Sequence, residues 1–204
     1  MPSRVLTRLL AIVCVFVAAV AVTPASPAAA HTHQPPFEIV FPQEFGLTEF
    51  SDSFGDSRSG GRSHKGTDLL APRMTEIYSI ASGTVTYVGT NNLSGRNMKI
   101  DHGDGWESYY VHLNNDNIGT DDGRAPWSIT VAPGIEEAVE VEAGQLIGWV
   151  GDSGNAEGTT PHTHFEIRLN GGAINPYSLL VEAYDRALVL VQEAHLASLD
   201  YEME

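Results

Sequence analysis

The chain has 204 residues, 42% of them hydrophobic, which is room for one domain with a substantial core. Against 26 acidic residues it carries only 11 lysines and arginines, a formal charge of −15. Such a balance repels polyanions and argues against nucleic acid and anionic membrane surfaces as partners.

Residues 1–30 have the layout of a secretory signal. Arg4 and Arg8 give a basic start, Leu9 to Val22 is an unbroken apolar run, and Ala28-Ala29-Ala30 suits small-residue cleavage. The run is shorter than the ~20 residues a membrane-spanning helix needs, so no stable membrane insertion is expected after cleavage. Cys14, the single cysteine, would leave with the signal, so neither a disulfide nor thiol chemistry is expected of the mature chain. Arg4 and Arg8 would leave too, and nine basic residues would then face 26 acidic ones, a charge of −17.

Residues 31–49 contain prolines 35, 36 and 42 before any periodic pattern and read as an extended N-terminal arm. Short strands punctuated by glycine are predicted over 50–177. Gly83 to Gly89 alternates β-branched and aromatic residues. Met98-Lys99-Ile100 and Glu107 to His112 flank His102-Gly103-Asp104-Gly105, a glycine-rich hairpin turn. Gln145 to Val150 and His164 to Leu169 add two more strands, and with no helical period in between an antiparallel, mostly β domain follows. Asn114 to Glu142 breaks the pattern for too long to be an idle connection and reads as a functional or rim-covering loop. Residues 178–204 are a C-terminal helix and tail: Leu180, Ala183, Tyr184, Ala187, Val191 and Ala194 recur at helical spacing, with Ser178 placed to cap.

The candidate chemistry lies in three separated clusters, His64-Lys65-Gly66-Thr67-Asp68, Tyr109-Tyr110-Val111-His112-Leu113 and Pro161-His162-Thr163-His164-Phe165. Histidine and aspartate are ordinary zinc ligands, and a catalytic zinc takes three protein ligands plus water. The set supplies three ligands and leaves two histidines over, as proton transfer beside a metal would require. On a strand, His162 and His164 share one face, while Phe165 and Ile167 face the opposite side, where a core would take them. H-x-H alone fits an exposed polar pair better than a metal site. His64 and Asp68 are four apart, but Gly66 and Gly60-Gly61 point to a loop entering a strand, with glycine letting the backbone bend so that both side chains reach one point. His112 ends an aromatic strand, where a hydrogen-bonded sheet histidine is the plainer alternative. Spacing does not say which of His162 and His164 would hold a metal.

In combination, H-x-x-x-D, Y-x-H-L and P-H-x-H-F-E, in this order and joined by Gly148-Trp149-Val150-Gly151-Asp152, resemble the lysostaphin-like zinc metallopeptidases, peptidase family M23. The likeness covers roughly 50–177 and includes Phe54-Gly55, Gly83-Thr84-Val85, Asp101 to Gly105, Gly144 to Gly148 and Asn175-Pro176. It implies an antiparallel β-sheet metallopeptidase core, here with a long loop insertion and a C-terminal helix. It implies Zn²⁺ as cofactor, with His64, Asp68 and His164 as its ligands. His112 and His162 become the catalytic histidines, one taking the water proton and the other stabilising the oxyanion, with Arg58 or Arg62 a candidate to assist. The implied activity is a secreted or cell-wall-associated endopeptidase that cuts peptidoglycan cross-links or stem peptides. The alternative is a non-catalytic wall-binding or amidase-activator module that keeps the metal site; activators of this kind have lost metal ligands, and here none is missing. The chain departs from the family pattern in the length of Asn114–Glu142 and in Thr163, commonly leucine between the paired histidines.

Other motifs have blander explanations. Gly151-Asp152-Ser153-Gly154 resembles the nucleophile loop of chymotrypsin-like serine proteases, but Asn155 replaces the next glycine and a turn is expected. His102 in a hairpin turn and His195 in the terminal helix read as structural or solvated. His31-Thr32-His33 would be the mature terminus, of a type that can bind Cu(II) or Ni(II), although an arm without function is the better explanation.

Overall fold

The computed structural model describes residues 34–202, with side chains as far as His195. The expected signal over 1–30 and the His31-Thr32-His33 terminus lie outside the described residues.

Strands form where β-branched and aromatic residues alternate between glycines. In chain order they are β1 (Ser57–Arg58), β2 (Arg62–Ser63), β3 (Thr67–Leu70), β4 (Glu76–Tyr78), β5 (Gly83–Asn91), β6 (Gly95–Gly103), β7 (Trp106–Leu113), β8 (Glu140–Val141), β9 (Leu146–Trp149), β10 (His162–Leu169) and β11 (Gly172–Ile174), followed by helix α1 (Tyr177–Glu202). The main sheet runs β11-β10-β7-β6-β5-β8, with β3 also paired to β10, and every pairing is antiparallel. Two ribbons, β1 with β2 and β4 with β9, complete a mostly β architecture.

Side-chain alternation gives the sheet a dry face and a wet one. Tyr110, Phe165, Ile167, Met98 and Ile100 are fully buried on the dry face, together with Leu69, Ile77, Ile147 and Leu180. One residue of β7 escapes the alternation. Arg96 of β6 opposes Leu113 and Asn97 opposes Val111, so His112 is the extra residue of a β-bulge, and its φ is 65°. Regular alternation would send His112 to the core side with Tyr110. The bulge re-aims it to the wet face, a common use of such irregularities beside functional sites.

Two segments pack more deeply than their sequences suggest. The extended arm belongs to the core: Ile39 and Phe41 are buried, Val40 N–H donates to Ile80 O, and Gln43 bridges to Ile77. The 114–142 segment is irregular, but it too is structural, with Ala125, Val131, Ala132 and Ile135 buried and Val131 bridged to Gly148. The Arg96 guanidinium ties it down by donating to Ala125 O and Thr130 Oγ1 and stacking over Trp127. The first turns of α1 seat Leu179, Leu180 and Ala183 against the core, whereas Leu188 to Val191 are exposed. Its first amide is satisfied by Asn175, whose Oδ1 accepts from Tyr177 N–H at 3.0 Å, and Ser178, expected as the cap, lies inside the first turn.

Candidate metal centre

The antiparallel register of β3 on β10 places His164 opposite Asp68 and His162 opposite Leu70. The pairing separates the two histidines where spacing could not. His64 joins from the loop just before β3. Gly66, between His64 and Asp68, has a reason other than bending: a Cβ there would lie 2.1 Å from the Phe165 carbonyl oxygen. Glycine lets β3 approach β10 closely enough for the two donor strands to meet.

Three side-chain atoms then form a tight triangle. His64 Nε2 is 3.0 Å from Asp68 Oδ1 and 2.8 Å from His164 Nδ1, and His164 Nδ1 is 2.9 Å from Asp68 Oδ1. Each ring is fixed from behind. His64 Nδ1–H donates to the Ser53 carbonyl at 2.8 Å, and His164 Nε2–H donates to Glu166 Oε1 at 3.0 Å. Those bonds assign the protons to the outer nitrogens and turn two imidazole lone pairs and a carboxylate lone pair toward one point. Such a centre is unsatisfied unless a positive charge occupies it, either a proton or a metal ion.

The titration behaviour carries the same information. Burial would raise the Asp68 carboxyl, but the bonds and charges of His164 and His64 outweigh it and hold the group well below the usual carboxylate range. Burial would lower His164, but bonds to Asp68 and Glu166 outweigh it and push the imidazole up. Two nitrogens and one oxygen, each backed by a second partner, are the donor set of an open, three-ligand zinc site, so the residues present fit that ion. The outer oxygen of Asp68 accepts from Arg58 Nη2 at 2.7 Å, so Arg58 supports a donor residue, while Arg62 is bonded to Ser59 in its own turn.

Next to the triangle stand His112 and His162, with ring centroids 5.0 Å apart, and His112 is 6.2 Å from His164. His112 Nδ1–H donates to Ser153 O at 2.7 Å and His162 Nδ1–H to Thr160 O at 2.7 Å, so both rings are fixed through Nδ1. Burial, then repulsion from His162, lowers His112 to about 4, so it is neutral at neutral pH. All five residues line one groove of about 900 Å³.

The remaining candidates sit elsewhere. Ser153 is buried, and its hydroxyl is spent on Leu113 O at 2.7 Å and on Arg96 N–H at 2.9 Å, so it is no nucleophile. His102 bridges Ser82 O and Ser108 Oγ at the far end of β6, and His195 is an exposed residue of α1. No residue of 114–142 lines the groove, so that segment is not its rim; Leu93, Ser94 and the 155–160 turn take the place. A second acidic group, Asp116, Asp121 and Glu157, already holds a cation, because Arg73 pairs with Asp116 at 3.3 Å and Asp121 at 2.8 Å.

Comparison with known proteins points to one peptidase family. Residues 62–123 match peptidase family M23. The catalytic domain of the antimicrobial peptidase lysostaphin from Staphylococcus simulans superposes with a TM-score of 0.51 at 25% identity, covering 67% of this chain and 98% of that domain. Part of the chain is thus similar to an M23 peptidase domain. The DD-carboxypeptidase/endopeptidase Mpg of Neisseria meningitidis is 33% identical over 118 residues, 58% of this chain and 23% of Mpg. The peptidoglycan DD-endopeptidase ShyC of Vibrio cholerae is 27% identical over 143 residues, 70% of this chain and 29% of ShyC. The chain thus spans about a quarter of the length of the curated relatives it matches. Within this site, sequence reading missed Glu166 and the Ser53, Ser153 and Thr160 carbonyls, while Arg58, expected as a candidate to assist the oxyanion, is bonded to Asp68. Only Glu166 had a local signal, since its i+2 spacing from His164 on a strand puts it on the same face.

Proposed function

We propose that this chain is a zinc metalloendopeptidase that hydrolyses peptide bonds of bacterial peptidoglycan outside the cytoplasm. His64, Asp68 and His164 hold the ion in this reading, and His112 and His162 handle protons. The observation that carries it is the triangle of lone pairs 2.8–3.0 Å apart, each held from behind, with two further histidines beside it in an open groove. ShyC, named as a peptidoglycan DD-endopeptidase, supports the substrate class, and Mpg, named as a DD-carboxypeptidase/endopeptidase, supports the reaction class. Among the described residues no helix is long and apolar enough to cross a membrane.

A zinc ion, when bound, lowers the pKa of a coordinated water toward about 7 and polarises a carbonyl. The chain's own residues do the rest. His112, neutral and fixed by Ser153 O, accepts a proton at Nε2 and acts as the general base. His162, fixed by Thr160 O, faces the same space and in its protonated form donates from Nε2 to the carbonyl oxygen as charge develops there. Arg58 orients Asp68 by donating to its outer oxygen, and Glu166 holds the proton on His164 Nε2. Purified protein incubated with isolated walls, with and without a chelator, tests the reading by mass spectrometry of the fragments. New peptide termini are expected only in the metal-loaded sample; walls left intact by the zinc-loaded protein would contradict it.

A further inference from the structure

The groove inverts the charge of the molecule. Of the nine lysines and arginines within residues 34–202, five line it: Arg58, Arg62, Lys65, Lys99 and Arg168. Of the 25 acidic residues in the same span only Asp68 and Glu166 do. Most of these cations are spoken for or exposed. Arg58 holds Asp68, and Arg168 is clamped by Glu166 Oε2 at 2.7 Å and by Gly171 O at 3.2 Å. Lys99 is different.

Lys99 sits in the middle of a transverse row across the wet face, Tyr87-Lys99-Tyr109-Glu166, set by the registers of β5, β6, β7 and β10. Its Nζ lies 4.5 Å from the Tyr109 ring centroid and 5.4 Å from that of Tyr87, and the side chain is half-buried. Among the described residues it has no ion pair. The lane is built for this arrangement. A Cβ on Gly89 would lie 2.2 Å from the Tyr87 hydroxyl oxygen, so glycine there gives that phenol its place. Aromatic faces hold a cation in position without neutralising it, which leaves the ammonium protons for an anion. The neighbouring row carries His164, Val111 and Asn97, so Lys99 stands two strands across and two residues along from the proposed zinc ligand. That is about 12 Å between Cα atoms, or three to four residues of extended peptide.

The geometry points to Lys99, seated between Tyr87 and Tyr109, as a carboxylate subsite that selects stem peptides with a free carboxylate within three or four residues of the scissile bond. Neutral glycine bridges and amidated stems lack that group. This rests on the peptidoglycan reading above and adds a specificity that the metal centre does not contain. It also explains how a chain with a charge of −15 accommodates an anionic substrate: the attraction is local, not global.

Two muropeptide dimers of identical sequence, one with free stem carboxylates and one with carboxamides, give the test. Cleavage by zinc-loaded protein and binding by isothermal titration are both measured, for wild type, Lys99→Met and Lys99→Arg. Wild type is expected to favour the carboxylate dimer by about 10- to 100-fold in kcat/KM, the worth of a charge-assisted hydrogen bond. Lys99→Met should bring that ratio to about one, and Lys99→Arg should keep most of it. Lys99→Gln replaces the methionine variant if its thermal transition is displaced. Equal cleavage of the two dimers by wild type, or a preference that survives in Lys99→Met, overturns the subsite. If neither dimer is cut, the hydrolase reading fails; binding still decides the subsite, which equal affinities overturn and a Lys99-dependent preference supports.

Discussion

Replacing Glu166 with glutamine isolates the support of the metal centre from the centre itself. Glu166 Oε1 accepts from His164 Nε2–H at 3.0 Å, and Oε2 accepts from Arg168 Nε at 2.7 Å, on a side chain that is 9% exposed. Burial would raise its carboxyl, but the bonds to His164 and Arg168 outweigh it and keep the group ionised. Glutamine has the same shape, so the packing stays constant and only the charge and one acceptor are lost. Its amide must turn an –NH₂ either toward Arg168 or toward His164 Nε2–H, and in both cases donor faces donor. The proton on Nε2 is then held less firmly and Nδ1 becomes a poorer lone pair. Partners of this kind are worth about 10- to 100-fold in metal affinity, or ~1.4–2.8 kcal/mol. Competition with a chromophoric chelator at fixed pH should therefore show zinc affinity reduced by that factor in Glu166→Gln. Glu142→Gln, exposed and remote from the groove, should leave it alone. An affinity unchanged within twofold in Glu166→Gln would refute the two-layer site.

Gly66→Ala should force β3 away from β10, because the new Cβ meets the Phe165 carbonyl rather than a movable side chain. A loss of about 3 kcal/mol is expected, on the order of 10 °C in Tm, together with weaker zinc binding, read by calorimetry and chelator competition. Wild-type values for both would mean that the close approach is not needed. His112 gives a pH signature. The folded chain holds it near 4 against 6.5 for an ordinary imidazole, so unfolding takes up a proton between those values. Stability from this residue is therefore fully present above pH 6.5 and is lost as pH falls toward 4. In an NMR titration its ring signals should keep neutral positions at pH 5.5; a midpoint near 6.5 would remove His112 as the neutral base.

Much of this arrangement is written in local sequence. The β5 alternation, the glycine turn between β6 and β7, and the shared face of His162 and His164 all follow from period-two geometry with turn residues. The unread parts depend on pairing between distant segments. No local pattern places His164 against Asp68 rather than Leu70, or marks His112 as the residue of a bulge. Gly66 was legible as glycine but not as a contact with Phe165, which lies far away in the chain. The proline-rich start of the described chain and the 114–142 segment look like surface in composition. They are core because a handful of their residues, Phe41 and Val131 among them, fill the space above a sheet whose shape the local sequence does not reveal.

The central claim is that one histidine of the β10 pair holds zinc while the other, on the same strand face, moves protons. Metal content per chain, measured by elemental analysis of wild type, His164→Ala and His162→Ala purified side by side, tests it most directly. About one zinc is expected in wild type, almost none in His164→Ala, and about one in His162→Ala despite a rate reduced by about 10²-fold or more. Zinc retained in His164→Ala, or lost in His162→Ala, would contradict it.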